Sequence, residues 1–271
     1  MGSVPIVASL ATIFAVVVVG FPLLMYVIQD RLLFFPQPLA ESRRDEIRKR
    51  YPAVGEIVLR GENQKLHAWY VKAAPGKPLV IYFGGNAEEV SWMLEDAVTR
   101  APGVGWLLVS YRGYGASTGA PSEDSISADA LKWHDHAVKT LGAKQVIAFG
   151  RSLGSGAAVF LASERKLASV ILVTPFDSLV KVAEHHYPFV PVNVLLRHRF
   201  DSVERAPKIA APLLCIAAGQ DNVIPVVHAR RLYDAWGGPK RWILIEEAGH
   251  NSTDGVPLFW QSITAFLEKS A

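Results

Sequence analysis

The stretch "VIAFGRSLGSGAAVF", residues 146–160, decides the reading of the fold. It runs from an apolar segment into a serine fenced by small residues, and then into Ala, Val and Phe at near-helical spacing. Ser152 sits in Gly150-Arg151-Ser152-Leu153-Gly154, which matches G-x-S-x-G, a turn that carries a nucleophile from the end of a strand to the start of a helix. The turn strains the serine backbone, and glycines two places before and after it avoid a clash with the neighbouring strand and helix. A Gly-rich loop between strand and helix carries the same letters, so the reading depends on partners elsewhere in the chain.

Strands and helices alternate around this segment. "LVIYF", "WLLVSY", "QVIAFG", "SVILVT", "LLCIAA" and "WILIEE" are short apolar runs suited to strands buried on both faces. "GEIVLR" and "LHAWYVKA" read as a leading antiparallel pair. Helical patterns cover Ala87 to Arg100, Ser122 to Thr140, Leu153 to Arg165, Pro225 to Trp236 and Pro257 to Lys269. The order predicts an α/β fold with a mostly parallel sheet and helices on both faces, over residues 56–271. Residues 177–210 break the alternation; their aromatics, prolines and paired histidines suggest a lid inserted after the sixth strand.

Residues 1–29 contain no charged side chain, and Val4 to Ile28 is long enough to cross a bilayer as a helix. No basic n-region precedes it and no small-x-small cleavage site follows, which favours an uncleaved anchor over a signal peptide. Arg31, Arg43, Arg44, Arg48, Lys49 and Arg50 follow on its C-terminal side, which places the main domain in the cytoplasm. The same cluster also reads as the solvated face of a helix over roughly Leu39 to Arg50. Residues 30–55, with prolines and charges, read as a juxtamembrane connector rather than core.

Composition narrows the partners. A chain of 271 residues, 50% of them hydrophobic, can bury one large core. The net charge of +3 comes from scattered Lys and Arg without a basic stripe, which argues against nucleic acid. Cys215, the single cysteine, excludes an intramolecular disulfide and lies in an apolar run, where a thiol behaves as a small hydrophobe.

A serine nucleophile needs a base, an orienting acid and donors for the oxyanion. "GQDNVIP" places Asp221, and "AGHNS" places His250, each just past a buried strand on the sheet edge that carries Ser152. Asp177, after the strand ending in Thr174, is a rival for the acid. The other histidines fit worse, lying in an early strand (His67), on a helix (His134, His136) or in the lid (His185, His186, His198). In "FGGNAEE", Gly84 and Gly85 let the backbone approach a reacting carbonyl, while the amides of Asn86 and of Leu153 supply the oxyanion hole. A Gly-Gly turn that merely joins strand to helix is the plainer reading of the same residues.

The set "FGGNAEE", "SYRGYGASTGAPSE", "GRSLGSGAA", "GQDNVIP" and "AGHNS" resembles the α/β-hydrolase superfamily. It is most similar to the membrane-anchored serine hydrolases that include protein depalmitoylases and lysophospholipid lipases. In that family the first motif begins with His before Gly and Asn; here Gly84 replaces the leading His. The resemblance implies an α/β-hydrolase fold, and it makes Arg112 of "YRGYG" a structural residue that holds its loop.

Together these readings predict an esterase or thioesterase acting on acylated or lipid-like substrates, with no metal or cofactor implied. Tyr187, Phe189 and Leu195 belong to an apolar lid segment that either roofs an acyl pocket or packs as a satellite core. A peptidase would use the same three residues, and a membrane-tethered interaction protein with a silent hydrolase fold is the reading from another class.

Overall fold

In the computed structural model, which describes residues 20–61 and 64–269, the apolar runs form one 8-stranded sheet. The strands are β1 (Gly55–Arg60), β2 (Lys65–Val71), β3 (Leu79–Phe83), β4 (Gly105–Val109), β5 (Val146–Arg151), β6 (Ser169–Val173), β7 (Leu213–Ala218) and β8 (Lys240–Ile245). Their spatial order is β1-β2-β4-β3-β5-β6-β7-β8. β1 and β2 form the expected antiparallel pair, β2 is also antiparallel to β4, and every later pairing is parallel. The helices are α1 (Phe21–Leu33), α2 (Glu41–Arg50), α3 (Met93–Arg100), α4 (Glu123–Lys139), α5 (Leu153–Glu164), α6 (Leu179–His186), α7 (Val192–Leu195), α8 (Ser202–Arg205), α9 (Val226–Ala235) and α10 (Pro257–Lys269).

Strand residues alternate between two apolar layers, as a period of two requires. Leu79, Ile81 and Phe83 of β3 face one layer with Trp133 of α4, Leu161 of α5 and Leu232 of α9. Val80 and Tyr82 face the other with Leu94 of α3 and Ile263 of α10. Helices therefore cover both faces of the sheet, as the alternation of strands and helices predicts. Cys215 lies in the first layer with no exposed surface, and burial pushes its thiol up, so it packs as a hydrophobe.

Helix boundaries differ from expectation where side chains compete for the backbone. α4 starts as expected, because Ser122 and Ser125 form a reciprocal capping box. The helix expected from Ala87 starts only at Met93, after a 3₁₀ turn over Val90–Trp92. Ala87 has φ +56°, and the Glu89 carboxylate accepts from the Ser91 N–H, which holds the preceding residues out of the helix.

Residues 30–55, expected to be a connector rather than core, place two side chains in the core. Phe34 and Ile47 are buried in the two apolar layers, at 3% and 1% exposure. Pro38 pairs with Gly115, and the Gly115 N–H donates to the Gln37 carbonyl at 2.7 Å. His67 of β2 and Arg44 and Arg48 of α2 converge on Glu56 of β1. Single apolar anchors spaced among prolines and charges leave no periodic signal, which is why the segment reads as a connector.

The anchor expected over Val4 to Ile28 lies largely outside the described residues; among those described, no helix is long and apolar enough to cross a membrane. α1 is held against the segment after β6. The buried Gln29 side chain donates to the Leu195 carbonyl at 3.1 Å and accepts from the Arg197 N–H at 2.7 Å. Asp30 accepts from Arg197 at 2.7 Å and faces His198 Nε2 at 2.9 Å.

Candidate active site

The local chemistry begins at the end of β5. Ser152 stands between β5 and α5 with φ +50° and ψ −117°, a conformation a side-chain-bearing residue adopts only under strain. The two motif glycines explain why the turn holds. A Cβ on Gly154 would lie 2.0 Å from the Phe83 carbonyl oxygen, and one on Gly150 would lie 2.4 Å from the Gly154 carbonyl oxygen. Both obstacles are backbone and cannot swing aside. Gly154→Ala is therefore expected to cost about 3 kcal/mol or more, read as a fall in chemical-denaturation midpoint together with loss of esterase activity.

The turn brings Ser152 to His250 and Asp221. His250 Nε2 is 2.8 Å from Ser152 Oγ, and His250 Nδ1 is 2.7 Å from Asp221 Oδ2. The second Asp221 oxygen accepts from the Val223 and Ile224 N–H groups at 2.9 and 2.7 Å, which fixes the carboxylate plane. Ser152 follows β5, Asp221 follows β7 and His250 follows β8, so one edge of the sheet gathers the ends of β5, β7 and β8 with β6 between the first two. Asp177 is engaged elsewhere: His228 Nδ1 lies 2.8 Å from it, and the Ser178 N–H and Arg231 also donate to it. Burial opposes its charge, but those hydrogen bonds outweigh burial and hold the carboxyl below its ordinary value.

Asn86, Gly85 and Ser152 line a cavity of about 520 Å³ with His250. Among the described residues, no protein acceptor takes up the Asn86 or the Leu153 backbone N–H. Gly85 contributes closeness but no donor, since its N–H is spent on Glu88 Oε2 at 2.7 Å. A Cβ at Gly84, where the family has a side chain, would meet Glu88 Oε1 and Val90 Cγ1, both at 2.8 Å. Glu88 thus occupies that space and braces the loop from within. Glu88 Oε1 accepts from the Tyr82 hydroxyl at 2.8 Å, and the Tyr111 hydroxyl donates to the Gly84 carbonyl at 2.8 Å. Burial pushes both phenols well above their ordinary value, so they remain donors.

The Asn86 side chain is itself clamped. It donates to the Leu33 carbonyl at 2.5 Å and accepts from the Phe35 N–H at 3.0 Å and the Tyr114 hydroxyl at 2.8 Å. Burial raises the Tyr114 phenol to about 12. Glu88, Tyr111, Tyr114 and the Leu33–Phe35 segment were not assigned to the site from sequence. The only signal for the tyrosines was their place in "YRGYG". Arg112 of that motif pairs bidentately with Asp129 at 2.8 and 2.9 Å, a structural role. Asn86→Ala keeps the backbone N–H but frees the loop; kcat for a soluble nitrophenyl ester is expected to fall about 10²-fold with KM little changed.

The lid residues are placed away from this cavity. Tyr187 and Leu195 line a separate apolar groove with α1, Phe189 is 98% exposed, and none of the three borders the Ser152 cavity. The segment expected either to roof an acyl pocket or to pack as a satellite core is fastened to α1 by Gln29 and Asp30. Arg151, Trp92 and Asp254 form the far wall, with the Arg151 guanidinium 5.3 Å from the Trp92 ring centroid and 3.5 Å from Asp254.

A model described as the alpha/beta hydrolase fold matches residues 78–197. The chain is 33% identical to an uncharacterized protein of Mycobacterium tuberculosis, over 99% of this chain and 96% of that one. It is 30% identical to an uncharacterized membrane protein of Saccharomyces cerevisiae, over 75% of each. Among solved structures it is similar to the Pyrococcus furiosus esterase Pf2001, with a TM-score of 0.64, 18% identity and coverage of 82% of this chain and 95% of that one. The family model and the sheet topology together show that this chain has the alpha/beta hydrolase fold.

Proposed function

We propose that the protein is a serine hydrolase that cleaves carboxylic esters or thioesters of acylated, lipid-like small molecules at a membrane. The observation that carries this reading is the unbroken contact from Ser152 Oγ through His250 to Asp221, at 2.8 and 2.7 Å. His250 accepts the Ser152 proton as Oγ attacks the acyl carbon, and Asp221 steadies the imidazolium that forms. The Asn86 and Leu153 N–H groups bind the oxygen that gains charge. Protonated His250 then delivers its proton to the departing alkoxide or thiolate. The same imidazole next activates water, which attacks the acyl-enzyme; the acid leaves and Ser152 is restored.

The charge-free stretch from Val4 to Ile28 supports a single N-terminal anchor, and the basic residues after it support a cytoplasmic domain. The yeast relative is called a membrane protein. A silent site is disfavoured by the intact relay and by the unspent amides of Asn86 and Leu153. The test is labelling with a fluorophosphonate probe. The full-length protein is expected to take the label and Ser152→Ala to refuse it; label on both, or on neither, overturns the reading.

A further inference from the structure

The proposed anchor says that the chain is held at a bilayer, but not which face of the domain meets it. Two uncharged segments lie side by side on this molecule. One is the first part of α1, from Phe21 to Gln29; the other runs from Tyr187 to Leu196 in the lid. Gln29 ties them through the Leu195 carbonyl and the Arg197 N–H, and an apolar groove of about 270 Å³ runs between them, bordered by Phe21, Met25, Tyr187 and Val190.

Their outer surfaces are unusually apolar. Phe189 is 98% exposed and Val194 76%, and on α1 Leu23 and Val27 are 59% and 66% exposed. Isolated exposed apolar residues need no partner, but a contiguous patch does. Charge returns to both segments at one level. Asp30 and Arg31 follow Gln29, while Arg197 follows Leu196, pairs with Asp30 and places its guanidinium carbon 5.2 Å from the Tyr26 ring centroid. Apolar side chains on one side, with an arginine and a tyrosine at the border, match a water–lipid boundary.

We infer that the lid tip and α1 form one bilayer-contacting face, with Phe189 and Val194 in the acyl-chain region and the groove between the segments taken by a lipid chain. This rests on the membrane reading above. The occupant follows from the sequence: α1 is preceded by the uncharged stretch from Val4 to Gly20, so the segment bonded to α1 is carried to the same surface. Phe21 lies about 12 Å along the helix from Gln29 at ~1.5 Å per residue, a depth comparable with interfacial insertion. Leu33 also lines the groove, and its carbonyl accepts from the Asn86 side chain, which borders the Ser152 cavity.

Cys215 is the only cysteine and is fully buried, so a cysteine introduced at the surface can be labelled alone. Full-length Phe189→Cys, Val194→Cys and Val98→Cys, each carrying an environment-sensitive fluorophore, are reconstituted in phosphatidylcholine vesicles with or without spin-labelled acyl chains. Val98 is exposed on α3, across the sheet from the lid. Blue-shifted emission and loss of most of the fluorescence at positions 189 and 194, with little change at 98, is the expected result. Equal quenching at all three positions, or none at 189 and 194, overturns the inference. A blue shift without quenching also overturns it, by assigning the face to a second copy of the chain. Vesicle flotation separates the two readings: a chain that fails to float removes the anchor itself, whereas a floating chain with unquenched labels removes only the docking face.

Discussion

Replacing Ser152 with Ala, or His250 with Ala, is expected to reduce ester turnover by about three to six orders of magnitude, and the double substitution is expected to be no worse than either. The reason lies in the shared proton. Ser152 Oγ and His250 Nε2, 2.8 Å apart, act in one transfer, so deleting either partner removes the whole step. Residual turnover then comes from the Asn86 and Leu153 amides, which both substitutions leave in place. Steady-state rates on a short nitrophenyl ester measure this directly. Losses that multiply in the double variant would mean that the two side chains act in separate steps.

Asp221→Asn is expected to lower kcat by about 10⁴-fold at nearly unchanged stability, the size that loss of the orienting carboxylate has in serine proteases. An amide at that position either presents the wrong group to His250 Nδ1 or gives up the Val223 and Ile224 N–H donors. Asp177→Asn is expected to do the opposite, sparing kcat while costing about 2 kcal/mol of stability by leaving His228 and Arg231 without a charged partner. Because folding lowers the Asp177 pKa, its stabilisation is complete above the ordinary carboxyl value of 3.8 and fades as pH falls through the lower folded value. The melting-temperature gap between Asp177→Asn and the unaltered protein should therefore close in acid. Parallel kinetics and thermal melts decide which aspartate serves His250, and a reversal of the two outcomes would transfer that role to Asp177.

The buried strands and the elbow were legible in the sequence because each rests on local patterning. β3, β5, β6 and β7 are unbroken apolar runs buried along their whole length, and the Ser152 turn needs glycine at two fixed positions for steric reasons. Asp221 and His250 could be read because an α/β sheet delivers its loops to one edge. The bracing of the hole was not legible, because Glu88 acts by folding back over two glycines and the tyrosines act across the sheet, contacts with no sequence period. The contacts of the lid segment were not legible for a related reason: apolar content shows that a surface seeks a partner, but not which one. The Gln29 and Asp30 contacts, with Arg197 over Tyr26, assign Leu195 and its neighbours to α1.

The clamp on Asn86 also bears on how such an enzyme would be turned off. Since Leu33 and Phe35 hold the Asn86 loop, a proteolytic cut just beyond Phe35 would remove the proposed anchor and loosen the proposed oxyanion loop in a single event. Such a cut would also take Phe34 out of the apolar layer beneath the site, so an ester offered in solution would be a poor substrate even where the Ser152, His250 and Asp221 contacts survive. If the proposed anchor holds, release would therefore be terminal rather than a change of address.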